Sequence, residues 1–136
     1  TYAIGKLIEK GIGDTIRVSL TGDVVNEIIA CKEILKLYDK YEGITLISCP
    51  TCGRCDYNMN ALIEKLEPIL DKINLKLKVA IMGCIVNGIG EGKDADIGIA
   101  GGNKKAVIFS KGKIIKTVDE EHIVDEFLKI LDEYRK

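Results

Sequence analysis

A chain of 136 residues can bury the core of one ordinary domain and is too short for a large multidomain enzyme. Lys and Arg total 20 against 21 Asp and Glu, a formal charge of −1, so bulk electrostatics draw the chain neither to nucleic acid nor to an anionic membrane, and any anion must be held locally. The longest apolar runs, such as residues 79–82, fall far short of the roughly 20 residues that cross a bilayer; no signal peptide is visible, and the opening Thr1 suggests a piece excised from something longer.

In chain order, residues 15–20 alternate polar and apolar side chains between Gly13-Asp14 and Thr21-Gly22-Asp23, which predicts a strand. A helix follows, with Val24, Ile28, Cys31, Leu35 and Tyr38 at three- and four-residue spacing behind a capping Asp23. Cys31 then reads as a small apolar residue of a buried stripe. Residues 44–48 form a β-rich run that ends on Cys49, with Pro50 just behind it. Residues 58–73 carry Met59, Leu62, Leu66, Ile69 and Ile73 on one helical face, and Pro68 is expected to kink or interrupt that helix. Residues 75–82 predict a second, buried strand that delivers Gly83 and Cys84. Residues 96–100 and 105–110 predict further strands, the latter paired with residues 113–118 across a Lys111-Gly112 turn. A last helix begins at about Asp119, where Thr117 and Glu120 have capping-box spacing and Ile123, Phe127, Leu131 and Tyr134 form the apolar stripe. The best boundary is Tyr41-Glu42-Gly43: residues 1–43 read as helix, strand, helix, with too few strands for a sheet of their own, and residues 44–136 as a compact α/β unit.

The five cysteines are an odd number, and Cys49, Cys52 and Cys55 cluster while Cys31 and Cys84 stand apart, which argues against a disulfide framework. Cys49-Pro50-Thr51-Cys52-Gly53-Arg54-Cys55 sits directly after a strand, where a tight turn can aim sulfurs at one point. Its Cys-x-x-Cys spacing suits zinc, an iron–sulfur cluster or a redox dithiol, and does not by itself choose among them. If the apolar strands before Cys49 and Cys84 lie side by side, both cysteines reach one sheet edge. Structural zinc is weakened because Cys84 has no partner thiol nearby and the single histidine, His122, falls in the last helix. A thioredoxin-like dithiol is disfavoured by the Gly53-Arg54 turn and the third cysteine. After Cys84, Asn87-Gly88-Ile89-Gly90-Glu91-Gly92 reads as a glycine-rich loop able to approach a bulky inorganic ligand, although a lone Glu between glycines is ordinarily just solvated. The Gly-x-Gly pattern here and Gly101-Gly102 are weak signals for nucleotide binding.

Together, Cys49-Pro50-Thr51-Cys52-Gly53-Arg54, the block from Gly83-Cys84 through Asn87-Gly88 to Gly90-Glu91, and Gly101-Gly102-Asn103-Lys104-Lys105 closely resemble the 4-hydroxy-3-methylbut-2-enyl diphosphate synthases, iron–sulfur enzymes of the non-mevalonate isoprenoid pathway. The resemblance covers the whole chain, and the block from Gly11 to Leu20 looks like the segment entering the last strand of that family's TIM-barrel domain. It implies an α/β (α+β) fold: a cluster domain similar to the iron–sulfur half-domains of sulfite and nitrite reductases over residues 44–136, preceded in residues 1–43 by the last strand and flanking helices of the barrel. The implied reaction is the two-electron reductive ring opening of 2-C-methyl-D-erythritol 2,4-cyclodiphosphate to 4-hydroxy-3-methylbut-2-enyl diphosphate with loss of water, the electrons arriving singly from ferredoxin or flavodoxin.

The positions matching the family's [4Fe–4S] ligands are Cys49, Cys52, Cys84 and Glu91. A carboxylate is harder and more readily displaced than a thiolate, which gives Glu91 a catalytic part, since one iron can be opened toward substrate. Resemblance also suggests that Arg17 and Ser19 hold the diphosphate where a barrel strand meets the catalytic face, and that Asn87 contacts substrate, with Arg54 and Lys104 as lesser candidates. A cytoplasmic homodimer is implied for the full-length enzyme, the cluster domain of one subunit closing over the partner's barrel. With the barrel almost wholly missing, this chain alone is not expected to turn over substrate. Cys55 departs from the family pattern and allows an all-cysteine set of Cys49, Cys52, Cys55 and Cys84. The rival readings are a non-catalytic zinc module and a small iron–sulfur electron carrier, neither of which needs Glu91.

Overall fold

A computed structural model describes residues 1–49, 53–55 and 57–135, arranged as two units, Thr1–Glu42 and Gly43–Lys136. In the first, helices α1 (Tyr2–Glu9) and α2 (Val24–Leu37) are joined by an irregular segment. The ring of Tyr38, just past α2, lies where a side chain on Gly5 of α1 would stand, 1.9 Å from the position of a Cβ. Asp23 caps α2 as its sequence predicts, its carboxylate accepting from the Val25 amide at 2.9 Å.

Residues 15–20 do not form the predicted strand. Their alternation suits one, but a strand needs neighbours for its N–H and C=O groups, and this unit has no other strand among the described residues. The same lack shows on α2: Val24, Val25, Ile28 and Leu37 are exposed, Ile34 is its one buried residue, and Cys31 is half-buried rather than core.

The second unit is a mixed α/β fold around a five-stranded sheet of β1 (Thr45–Ser48), β2 (Lys78–Met82), β3 (Ile97–Gly102), β4 (Lys105–Ser110) and β5 (Lys113–Asp119), in that spatial order. β1, β2 and β3 run parallel; β4 and β5 complete the sheet antiparallel. One face carries Val79, Ile81, Ile97, Ile99 and Ile108 against α3 (Met59–Leu70) and α5 (Ile123–Glu133), with Leu66 and Phe127 fully buried between them. The other carries Ala80, Met82, Ala100, Val107 and Phe109, with Ile85 and Ile89 of α4 (Ile85–Glu91) packed on it.

Three local expectations are corrected here. α3 is not interrupted at Pro68 but runs through it to Leu70, ending two residues later. Thr117 lies inside β5, and a 3₁₀ turn, Glu120–His122, leads into α5 in place of a capping box. The glycine-rich stretch after Cys84 is helical: Gly88 lets α4 lie directly on β2, where a Cβ would stand 2.5 Å from that of Met82.

Candidate metal centre

Parallel pairing of β1 and β2, with Ser48 opposite Ile81, brings the ends of both strands to one sheet edge, so Cys49 emerges beside Met82 and the Gly83-Cys84 step. The Gly83 amide donates to Cys49 Sγ at 3.1 Å. A Cβ on Gly83 would stand 3.2 Å from Cys55 Sγ and 3.6 Å from Cys49 Sγ, so two sulfurs share a cradle that only glycine leaves open. Cys84 follows directly, half-buried, with extended backbone at the N-cap of α4. Cys52 lies outside the described residues. Cys49, Cys55 and Cys84 are all free thiols, and among the described residues no group of three or more His, Cys, Asp or Glu is gathered closely enough to hold a metal ion.

The donor chemistry nonetheless fits an iron–sulfur group. Soft sulfur donors meet at one backbone step, and a backbone N–H already points at one of them, the kind of hydrogen bond that stabilises a thiolate ligand.

Tyr57 fastens this edge and was not singled out by its sequence. Its hydroxyl donates to the Met82 carbonyl at 2.9 Å, its own carbonyl accepts from Cys55 Sγ at 3.3 Å, and its ring fills the space over Gly101 of β3, 1.9 Å from where a Cβ would lie. Burial, with the neighbouring Cys55, Cys49 and Glu120, pushes the Tyr57 hydroxyl well above the ordinary tyrosine range, so it stays protonated as a donor. The one local signal was an aromatic residue two positions past Cys55 in a chain with a later Gly-Gly pair.

The other sequence-selected residues are more scattered. Glu91 is exposed at the last position of α4; seven residues beyond Cys84 at 1.5 Å per residue, it stands about 10 Å along the helix axis from that cysteine. Asn87 is exposed in α4, Arg54 is exposed just before Cys55, and Lys104 is exposed in the β3–β4 turn with φ of 54°. Arg17 and Ser19 line an open cavity of about 550 Å³ in the first unit, together with Glu33 and Leu37. No helix among the described residues is long and apolar enough to cross a membrane.

Residues 45–133 match the family model described as the GcpE protein C-terminal domain. The chain is also 55% identical over 131 residues to the 4-hydroxy-3-methylbut-2-en-1-yl diphosphate synthase (flavodoxin) of Ruminiclostridium cellulolyticum, covering 96% of this chain and 37% of the relative. Proteins of the same name from Malacoplasma penetrans (50% identical; 94% of this chain, 36% of the relative) and Clostridium acetobutylicum (52%; 97% and 38%) are similar to it as well. The chain spans a little over a third of the length of these relatives.

Proposed function

The chain belongs to the family of the GcpE protein C-terminal domain, and from that premise we propose that it is the cluster-bearing part of a 4-hydroxy-3-methylbut-2-enyl diphosphate synthase. The observation that carries the reading is that the Gly83 amide, one residue before Cys84, donates to Cys49 Sγ, so that the ends of β1 and β2 bring these two cysteines to one edge. Cys49, Cys52 and Cys84 would hold a [4Fe–4S] cluster, with Glu91 as the fourth, displaceable ligand. When bound, that cluster supplies single electrons and a Lewis-acidic iron to the reductive opening of the cyclic diphosphate.

The chain's own residues have simpler tasks. Gly83 holds the Cys49 sulfur by its amide and keeps the cradle clear of a side chain. Asn87 orients substrate beside the cysteine edge, and Arg17 and Ser19 bind the diphosphate. Ligation by Glu91 would bring its carboxylate to the cysteine edge from the C-terminal end of α4.

In this reading residues 1–43 are the end of a TIM barrel and residues 44–136 a domain of the sulfite and nitrite reductase kind. The full-length protein is a cytoplasmic homodimer that takes electrons from flavodoxin, the donor in its relatives' names, or from ferredoxin. A second reading has its own support: Cys55 Sγ shares the Gly83 cradle with Cys49, which favours Cys55 as the fourth thiolate.

The test is the absorption and EPR spectrum of protein purified without oxygen, with iron, sulfide and zinc assayed on the same sample. A brown protein with a broad thiolate-to-iron band and roughly four iron and four sulfide per chain is expected. Stoichiometric zinc persisting after anaerobic reconstitution would overturn the assignment. Comparing Glu91→Gln with Cys55→Ser decides the fourth ligand: the variant that alters the spectrum has lost it.

A further inference from the structure

The hydrogen bonds at Cys49 run through a single peptide group. Tyr57 Oη donates to the Met82 carbonyl at 2.9 Å, and the N–H on the far side of that same peptide, carried by Gly83, donates to Cys49 Sγ at 3.1 Å. A hydrogen bond accepted at an amide oxygen polarises the amide and strengthens the bond its N–H donates. From this geometry we infer that Tyr57 is a positioning residue that tunes the Cys49 sulfur through the Met82–Gly83 peptide. The inference rests on the proposed assignment of Cys49 as a cluster ligand and adds a residue that sets the cluster's reduction potential.

Two contacts keep Tyr57 in register for this. Its ring fills the space over Gly101, where a Cβ would stand 1.9 Å away, and its carbonyl accepts from Cys55 Sγ at 3.3 Å. The side chain is thus fixed to β2 by its hydroxyl and to β3 by its ring, while its backbone holds Cys55. An N–H directed at a ligand sulfur favours the more negative, reduced state of a cluster and so raises its potential. Removing the hydroxyl weakens that N–H and lowers the potential.

Tyr57→Phe keeps the ring on Gly101 and deletes only the O–H. In the full chain, reconstituted with iron and sulfide without oxygen, Tyr57→Phe is expected to hold as much iron and sulfide as the parent. Its potential, read by EPR at poised potentials, should be more negative by about 18 mV, which is about a twofold change in the reduction equilibrium at 59 mV per decade. Gly101→Ala reaches the same bond by another route, because its methyl group displaces the ring. Its shift should match in the parent and vanish in the Tyr57→Phe background. A parent chain that takes up no iron and sulfide overturns the cluster assignment and this inference with it. A parent that holds the cluster, beside a Tyr57→Phe variant with an unchanged or raised potential, overturns the inference alone; lower cluster content at unchanged potential does the same, since that is a purely structural effect.

Discussion

Phe109 of β4 and Gly98 of β3 are cross-strand partners, and the ring of Phe109 occupies the place where a side chain on Gly98 would stand. A Cβ at 98 would lie 2.3 Å from the ring, and one at Gly92 would lie 2.7 Å from it, so the fully buried Phe109 is covered by two glycines at once. Gly98→Ala should therefore destabilise the chain despite the better strand propensity of alanine, since the added methyl group would overlap a fully buried ring. Overpacking of this kind costs about 1–3 kcal/mol. Urea unfolding of the variant measures it; a loss under about 0.5 kcal/mol would mean that the ring can swing aside.

Much of the second unit was legible because its signals are local. The apolar runs that became β1, β2 and β4 are short and bounded by turn residues, and the stripe of Ile123, Phe127 and Leu131 fixed the buried face of α5. Three of the failures share a physical cause, in that each depends on a partner distant in sequence. Residues 15–20 have the pattern of a strand but no strand to pair with in their unit. Residues 85–91 looked like a loop because two glycines obscure helical periodicity, and the demand for Gly88 comes from Met82 on another element. The part of Tyr57 is not legible locally because its partner, Met82, lies 25 residues away. At the site, the cysteine edge follows from strand order, whereas the placing of Glu91 at the end of a helix does not, because the glycines conceal that helix.

Gly88 offers a test in which two effects oppose one another. Alanine is a better helix former than glycine by about 1 kcal/mol, which favours Gly88→Ala in isolation. A Cβ there would meet Met82 at 2.5 Å and Ala100 at 3.4 Å, however, and α4 would have to lift off the sheet. The overpacking cost of about 1–3 kcal/mol should outweigh the propensity gain and leave a net loss. Hydrogen exchange at the α4 amides reads this directly: faster exchange in the variant is expected, and slower exchange would show that propensity wins.

Asn58 begins α3, and its side-chain oxygen accepts from the Ala61 amide at 3.1 Å. It thereby satisfies one of the N–H groups that the first helical turn leaves without a partner. Asn58→Ala should cost about 1 kcal/mol and Asn58→Asp almost nothing, since a carboxylate accepts the same bond. Equal losses for the two variants in thermal unfolding would remove the capping role.

Glu126 of α5 should give the unit a dependence on acid. Its carboxylate is shared by Lys116 of β5 and by Lys129, the latter at 2.8 Å, and these hydrogen-bonded ammonium groups hold its pKa down to about 2. A carboxyl depressed in the folded state contributes stability that is fully present above its unfolded value of about 4.3 and disappears as pH falls through about 2. Glu126→Gln should therefore melt below the parent at pH 6, with the gap closing between pH 4 and pH 2. Both lysines are largely exposed, so added salt should narrow the gap at pH 6 as well. A melting difference that stays constant from pH 6 to pH 2 would mean that the carboxylate charge contributes nothing, and that the variant loses only a neutral contact between β5 and α5.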